Sequence, residues 1–263
     1  MPSNDERSRS IAVSLQRAGM WKRISAFLFD AILLGILAVL FAFLFSSILG
    51  YDRYVDTLNR AYETYGEKYG VDFQTSLSQY DSMTEEERQQ LEEAYRAVGQ
   101  DEEAAYAYQM TIRLTILMVS LGILLACLIW EVLIPALLKD GQTVGKKIFS
   151  LGVMRSDGVR LGGVQLFVRS ILGKYTVEIM IPVLVVMMLY FGSVGLPGTL
   201  LILGLALVNG CLFLFTYAHT PIHDLLAGTV TVDLPSQRIF DTREDMIAFK
   251  EKLAAEKVAE KTI

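Results

Sequence analysis

Four long apolar runs constrain the fold of this chain more than any other feature of its sequence. Residues 31–49 carry no charge over 19 positions, and further runs cover about 112–138, 176–194 and 198–217. A bilayer core of roughly 30 Å is crossed by about 20 helical residues, so each run is near spanning length. Backbone polar groups find no water inside lipid, and each crossing is therefore predicted to be helical. The pattern predicts an all-α, polytopic membrane helical bundle with four transmembrane helices.

The distribution of lysine and arginine predicts how the helices are oriented. Basic residues cluster before the first run and between the second and third runs. Loops of this kind face the cytoplasm, so we expect both termini to be cytoplasmic. The acidic, tyrosine-rich segment between the first two runs is then extracytoplasmic. Apolar spacing from Tyr51 to Tyr69, together with the capping-box pair Thr84 and Glu87, predicts that this segment forms a helical hairpin.

The predicted cytoplasmic loop has two structural signals of its own. Asp157-Gly158 between short apolar stretches predicts a small β-hairpin, and the spacing over 163–175 predicts a helix in the membrane interface. The Gly141 to Lys147 stretch, GQTVGKK, resembles a phosphate-binding loop only superficially. Its glycines are one residue too close, and a lysine occupies the position of the magnesium-binding hydroxyl. Nucleotide binding is therefore not expected, and we predict no cofactor.

Asp30 is a carboxyl group inside the first apolar run. It lies seven residues after Arg23, about 10 Å deeper at helical rise and on nearly the same helix face. A charge at the bilayer centre costs at least ~2.5–3.5 kcal/mol, so Asp30 needs an explanation. Three interpretations are open. It is a structural carboxylate bonded to a neighbouring element, a proton or cation site, or a group beside a water-filled vestibule.

Other polar groups in the apolar runs have simpler interpretations. Glu131 and Glu178 lie near run ends and are expected at the interface. Asn209 is expected to bond a neighbouring helix, which the small residues Ala206 and Gly210 would allow to pack closely.

The segment after the fourth run contains both histidines of the chain. His219 and His223 are four residues apart and Asp224 follows, but Pro221 interrupts the helix that would align the histidines. We therefore predict no metal site. No nucleophile–base pair is evident in the sequence either, so we predict that the protein is not an enzyme and has no catalytic residue.

Several separated motifs together resemble the RDD family of bacterial membrane proteins, which is named for one arginine and two aspartates. The motifs are GMWKRISAFLFD (19–30), GQTVGKK (141–147), Asp157-Gly158 and HDLLAGTV (223–230). The resemblance implies that Arg23, Asp30 and Asp224 form the naming triad, that the protein lies in the bacterial cytoplasmic (inner) membrane, and that it transports an unidentified ligand. Some members look like sodium/proton antiporters. The acidic insertion between the first two crossings departs from the family pattern.

Two functional hypotheses follow. In the first, Arg23, Asp30 and Asp224 form a charged cluster on the cytoplasmic side that serves cation or proton movement, with His223, Glu131 and Lys146 as accessory residues. The expected partners are membrane lipid, a monovalent cation or proton, and further copies of the chain in a homo-oligomer, but no nucleic acid. In the second, the protein is a non-transporting membrane scaffold or sensor whose outer helical hairpin binds an envelope partner.

The predicted segments are a cytoplasmic leader (1–22), the first transmembrane helix (23–49), an extracytoplasmic acidic helical insertion (50–111), the second transmembrane helix (112–138), a cytoplasmic loop with an interfacial helix (139–175), the third and fourth transmembrane helices (176–217) and a cytoplasmic tail (218–263).

Overall fold

The fold is taken from a computed structural model, which describes residues 18–75, 77–190, 192, 195–216 and 220–260. In chain order, its elements are helices α1 (Met20–Leu49), α2 (Tyr51–Tyr69), α3 (Leu77–Ser82), α4 (Glu85–Gln100), α5 (Glu102–Leu137) and α6 (Val144–Ile148), strand β1 (Leu151–Arg155), helices α7 (Gly163–Tyr190), α8 (Leu196–Phe215) and α9 (Ile222–Ala227), strand β2 (Thr229–Asp233) and helix α10 (Arg243–Glu260).

Four of these helices, α1, α5, α7 and α8, are long and apolar enough to cross a membrane. The prediction of a membrane protein with four spanning helices is confirmed in the number, length and apolar composition of these helices. Helix α1 shows why the run is so uniformly apolar. Its buried residues are Arg23, Ala26 and Asp30, which lie on one face near its start, while most of its large apolar side chains are exposed. Exposed apolar surface of this extent is suited to lipid rather than to water.

Two of the spanning helices widen into π-helical turns, in which hydrogen bonds join residues five apart. Helix α5 is π-helical over Leu128–Leu133, and α7 over Val168–Met180. Helix α7 is continuous from Gly163, so the segment predicted as a separate interfacial helix is the first part of the third spanning helix. Such widened turns often occur at functional sites.

The small sheet pairs segments that are distant in sequence. Strand β1 runs antiparallel to β2, with Leu151 opposite Asp233 and Arg155 opposite Thr229. A two-stranded antiparallel sheet is present, but the prediction of a local hairpin is wrong about its main pairing, because the partner of β1 is the distant strand β2. The Asp157-Gly158 turn does form and supports a single bridge between Met154 and Arg160. Because four of the five residues in each strand are buried, the β1–β2 pair also satisfies backbone groups that are shielded from water.

The chain divides into two compact units, one formed by residues 1–37 and 124–263 and the other by Ala38–Ile123. The second unit contains α2 to α4, which occupy the segment predicted as a helical hairpin. The ring of Phe73 lies between those of Tyr62 and Tyr95, with centroids 5.0 and 4.9 Å away. The predicted capping box begins α4, since the Thr84 hydroxyl accepts from the backbone N–H of Glu87 and the Glu87 carboxylate accepts from that of Thr84.

Candidate functional site

The first unit contains a cavity of about 360 Å³, partly open to its surface, that we call the charged cavity. Helices α1, α7 and α8 contribute to its wall, together with α6, α9 and both strands. Its polar lining residues are Arg23, Asp30, Lys146, Arg169, Lys174, Glu178, Asn209, His223, Asp224 and Thr231, and its apolar ones are Ile24, Ala26, Phe27, Leu151, Ala206, Gly210, Phe213 and Pro221. The volume lies within the range of small-molecule binding sites.

Asp30 connects α1 to the loop that carries the GQTVGKK motif. Its carboxylate accepts hydrogen bonds from the Trp130 indole Nε1 at 3.0 Å, from the backbone N–H of Gly145 at 2.8 Å and from the Thr143 hydroxyl. These donors lie 100 to 115 residues after Asp30 in the sequence, in α5 and at the start of α6. A carboxylate that accepts three such bonds can remain buried without a directly bonded cation.

Gly145 allows this loop to approach α1 closely. A Cβ atom at this position would lie 2.5 Å from the Ala26 carbonyl oxygen and 2.9 Å from the Asp30 Oδ1 atom. Any larger residue would push the loop away from the carboxylate. The second glycine of the motif therefore has a packing role and not a phosphate-binding one.

Asp224 is ion-paired with Arg169. The Arg169 Nε atom lies 2.7 Å from Asp224 Oδ1, which also accepts from the Thr229 hydroxyl at 2.6 Å, and Oδ2 accepts from the Thr231 hydroxyl at 3.4 Å. Burial alone would raise the pKa of Asp224, but Arg169 and these hydrogen bonds outweigh it and hold the pKa below its ordinary value. Arg23, the arginine implied by the family resemblance, donates from its Nη2 atom to the backbone carbonyl of Thr231.

His223 lies between a carboxylate and a guanidinium. Its Nδ1 atom is 2.8 Å from Glu178 Oε2, and its Nε2 atom is 3.1 Å from Arg169 Nη2. The His223 backbone N–H also donates to Glu178 Oε1 at 3.0 Å. Close packing of α7 against α9 makes these contacts possible, because a Cβ atom at Gly173 would lie 2.6 Å from the His223 Cα atom.

Glu131 and Lys174 form a second buried ion pair, with one residue in each π-helical turn. The Ser170 hydroxyl donates to the Glu131 backbone carbonyl at 2.6 Å, which fixes the two helices against each other at this point. The five-residue hydrogen-bond spacing also explains how Arg169 and Lys174 both reach the charged cavity. In a regular α-helix, residues five apart point in different directions.

Lys146 is the buried cation with the weakest partner among the described residues. Its ammonium donates to the Thr143 hydroxyl at a long 3.4 Å, and none of the ion pairs found in the described part of the chain includes it. Burial lowers the pKa of Lys146, as does the nearby Arg169 guanidinium, and the pKa falls to about 8 although Glu131 opposes the change.

The structure places five of the six residues predicted for the site along the charged cavity, and their roles stay predictions. Arg23, Asp30, Lys146, His223 and Asp224 all line the charged cavity. Glu131 lies behind them and reaches the site through Lys174. His219 is outside the described residues.

Sequence reasoning missed three residues of this site, Arg169, Lys174 and Glu178. Arg169 and Lys174 belong to the predicted cytoplasmic loop, where basic residues are ordinary, and Glu178 is expected at the interface. Asn209 accepts from the Ile222 backbone N–H at 3.2 Å. The prediction of close packing at Gly210 is wrong for the described structure, because a Cβ atom there would meet nothing within 4 Å.

A model of the RDD family matches residues 17–228 of the chain. The chain belongs to the RDD family. The matched range includes every charged residue that lines the cavity of this RDD protein. No curated protein and no solved structure matches the chain. Among the described residues, no group of three or more His, Cys, Asp or Glu side chains is placed to hold a metal ion.

Proposed function

We propose that this RDD protein is a membrane transporter in which the charged cavity exchanges protons for a second ionic solute, with His223 as the proton-carrying group. The observation that carries the proposal is the position of the His223 imidazole, which lines the cavity between Glu178 and Arg169. Histidine is the side chain best suited to gain and lose a proton near neutral pH.

The hydrogen bonds around His223 define where its proton is. A guanidinium only donates, so the Nε2 atom that faces Arg169 at 3.1 Å must accept. The imidazole proton is then on Nδ1 and is donated to Glu178. A second proton, added at Nε2, removes that acceptor and places an N–H against the guanidinium. The Asp224 Oδ2 atom, 3.7 Å from Nε2, is the alternative acceptor.

Protonation of His223 therefore changes which groups bond across the cavity. In the neutral form Arg169 bonds both His223 and Asp224, whereas in the protonated form His223 competes with Arg169 for the same carboxylate. Such competition favours a different arrangement of α7 and α9 in each state. Two arrangements that differ in proton content are what proton-coupled transport requires.

This proposal places the ion-carrying role on His223 and Glu178 and away from Asp30. The Asp30 carboxylate accepts three hydrogen bonds from the protein, which supports a structural role for it. Lysine and arginine are in excess before the first spanning helix and between the second and third. This excess supports a cytoplasmic position for the cavity and for both termini.

The experiment is a flux measurement with purified protein in liposomes that contain a pH-sensitive dye. Imposed sodium, potassium or anion gradients should change the internal pH. His223→Gln and Glu178→Gln should each abolish the response, whereas Glu92→Gln, at an exposed position, should not. A wild-type protein without proton flux in any gradient would instead favour the second candidate, a scaffold or sensor. That candidate has support from the Ala38–Ile123 unit, which is compact in itself.

A further inference from the structure

The carboxylates of the charged cavity are already occupied by protein donors. Asp224 accepts from Arg169 and two threonine hydroxyls, and Glu178 accepts twice from His223. Asp30 accepts from an indole, a hydroxyl and a backbone N–H. A metal cation would have to displace these donors before it could bind a carboxylate oxygen.

Among the described residues that line the cavity, Lys146 is a cation with few hydrogen-bond acceptors. Lys146 is only 8% exposed, yet within the described structure its three ammonium hydrogens meet one long contact, 3.4 Å from the Thr143 hydroxyl. Lys174 lines the same cavity and bonds Glu131. A buried ammonium is costly unless an opposite charge or good acceptors compensate it. The donor excess therefore favours an anionic ligand with several acceptor oxygens.

Part of the cavity wall is apolar and reaches the surface of the spanning helices. Phe27 lines the cavity although 56% of its surface is exposed, and Ala206 on α8 is also an exposed lining residue. Gly210 also lines the cavity and leaves room beside it, since a Cβ atom there would meet nothing within 4 Å. A free inorganic anion would leave this wall in contact with water, whereas an apolar chain would cover it.

We infer that the charged cavity binds an anionic membrane lipid, with its phosphate headgroup at Lys146 and Lys174 and an acyl chain leaving between Phe27 and Ala206. This goes beyond the proposed function, on which it rests only in taking the cavity as a ligand site, because it adds a lipid to the ligands of that cavity. The lipid phosphate supplies acceptor oxygens to the Lys146 ammonium, whose contact in the described structure is one long hydrogen bond.

Lipid selectivity in the absence of any ion gradient tests the inference. The purified full-length protein in dodecyl maltoside is mixed with equal amounts of dioleoylphosphatidic acid and dioleoylphosphatidylcholine, and the retained lipid is quantified by mass spectrometry after gel filtration. We expect the wild type to retain phosphatidic acid preferentially. Lys146→Gln should reduce that retention about tenfold, whereas Lys147→Gln, which changes the exposed neighbouring lysine on α6, should leave it unchanged.

A second pair of variants tests the apolar wall while keeping Lys146. Gly210→Leu should fill the open space and reduce phosphatidic acid retention. Gly204→Leu is the matched control, since Gly204 is also free of close neighbours but does not line the cavity. Equal retention of the two lipids, or equal behaviour within both variant pairs, would overturn the inference. Full displacement of the lipid by excess inorganic phosphate would also overturn it, because the ligand would then be a free anion.

The two proposals fail separately. Proton flux in liposomes without any lipid preference would overturn the lipid site and leave the proton-carrying role of His223 intact. A phosphatidic acid preference that depends on Lys146, without proton flux in any gradient, would overturn transport and support a lipid-binding site.

Discussion

Asp30 is the residue whose chemistry the structure changes most, from an isolated charge in an apolar run to the acceptor of three hydrogen bonds. We predict that Asp30→Asn lowers the free energy of unfolding by about 1–3 kcal/mol, because the amide leaves at least one buried donor without an acceptor. Thermal denaturation in detergent measures this loss, with the exposed Asp52→Asn as the control. An unchanged melting temperature combined with lost proton flux would assign Asp30 to ion binding instead.

Gly173 is a second residue where a single atom decides the local structure. Gly173→Ala should destabilise the protein and reduce proton flux, because the added methyl group would lie 2.6 Å from the His223 Cα atom and push α9 away from α7. Gly204→Ala on α8 has no such neighbour and should be neutral or stabilising by roughly 0.5–1 kcal/mol. Equal melting temperatures for the two variants would show that α7 and α9 do not pack this closely.

The lowered pKa of Lys146 predicts that the stability of the fold depends on pH. Its folded-state pKa is lowered from 10.5 to about 8, with Arg169, Lys174, Glu131 and Asp30 facing it. Below the folded pKa both states are protonated. As the pH rises from about 8 towards 10.5 the folded state releases its proton first, so this group stabilises folding progressively, by up to roughly 3 kcal/mol.

The measurement for Lys146 is the difference in melting temperature between wild type and Lys146→Gln across that pH window. The wild type should gain stability relative to the variant as the pH rises. A difference that is constant with pH would mean that the ammonium is not buried as described.

At the scale of elements, α7 contributes three charged residues to the charged cavity from its π-helical turns, Arg169, Lys174 and Glu178. The Arg169–Asp224 pair should show strong coupling, because either single change leaves a buried charge uncompensated at a cost of about 3–5 kcal/mol. We predict that Arg169→Gln combined with Asp224→Asn costs less than the sum of the single changes. The exposed pair Lys22–Asp233 is the control and should be nearly additive.

The spanning helices could be predicted from the sequence because length and hydropathy decide them. The π-helical turns could not be predicted, because apolar spacing is interpreted with the period of an α-helix. That period places Arg169 and Lys174 on different faces of the helix. The β1–β2 pairing was also beyond prediction. The Asp157-Gly158 turn is a strong local signal, whereas nothing near Leu151 indicates a partner at Asp233.

Several residues of the site could be predicted because they are unusual in their local sequence. Asp30 and Asp224 are conspicuous as charges beside apolar runs, and the family resemblance joined them to Arg23. Lysine and arginine in a loop between two runs are ordinary, however, and only the fold reveals that Lys146, Arg169 and Lys174 are buried.

At the scale of the whole molecule, the charged cavity and the acidic helices belong to different units. We predict that deleting residues 55–105 leaves proton flux and lipid selectivity intact. Tyr54 and Tyr106 have ring centroids 6.1 Å apart, so a short Gly-Ser linker can join the remaining ends. The flux assay and the lipid assay check this variant directly. Loss of both activities in a well-folded deletion would show that the acidic helices take part in transport.

The state of the His223 imidazole tests the central claim most directly. Nitrogen NMR of ¹⁵N-histidine-labelled protein in detergent at neutral pH, with His219→Gln removing the only other histidine signal, reports which ring nitrogen carries the proton. The account predicts that the neutral ring carries its proton on Nδ1, with Nε2 accepting from Arg169, and that this pattern is lost in Arg169→Gln. A ring protonated at Nε2, or one unaffected by the loss of Arg169, would contradict it.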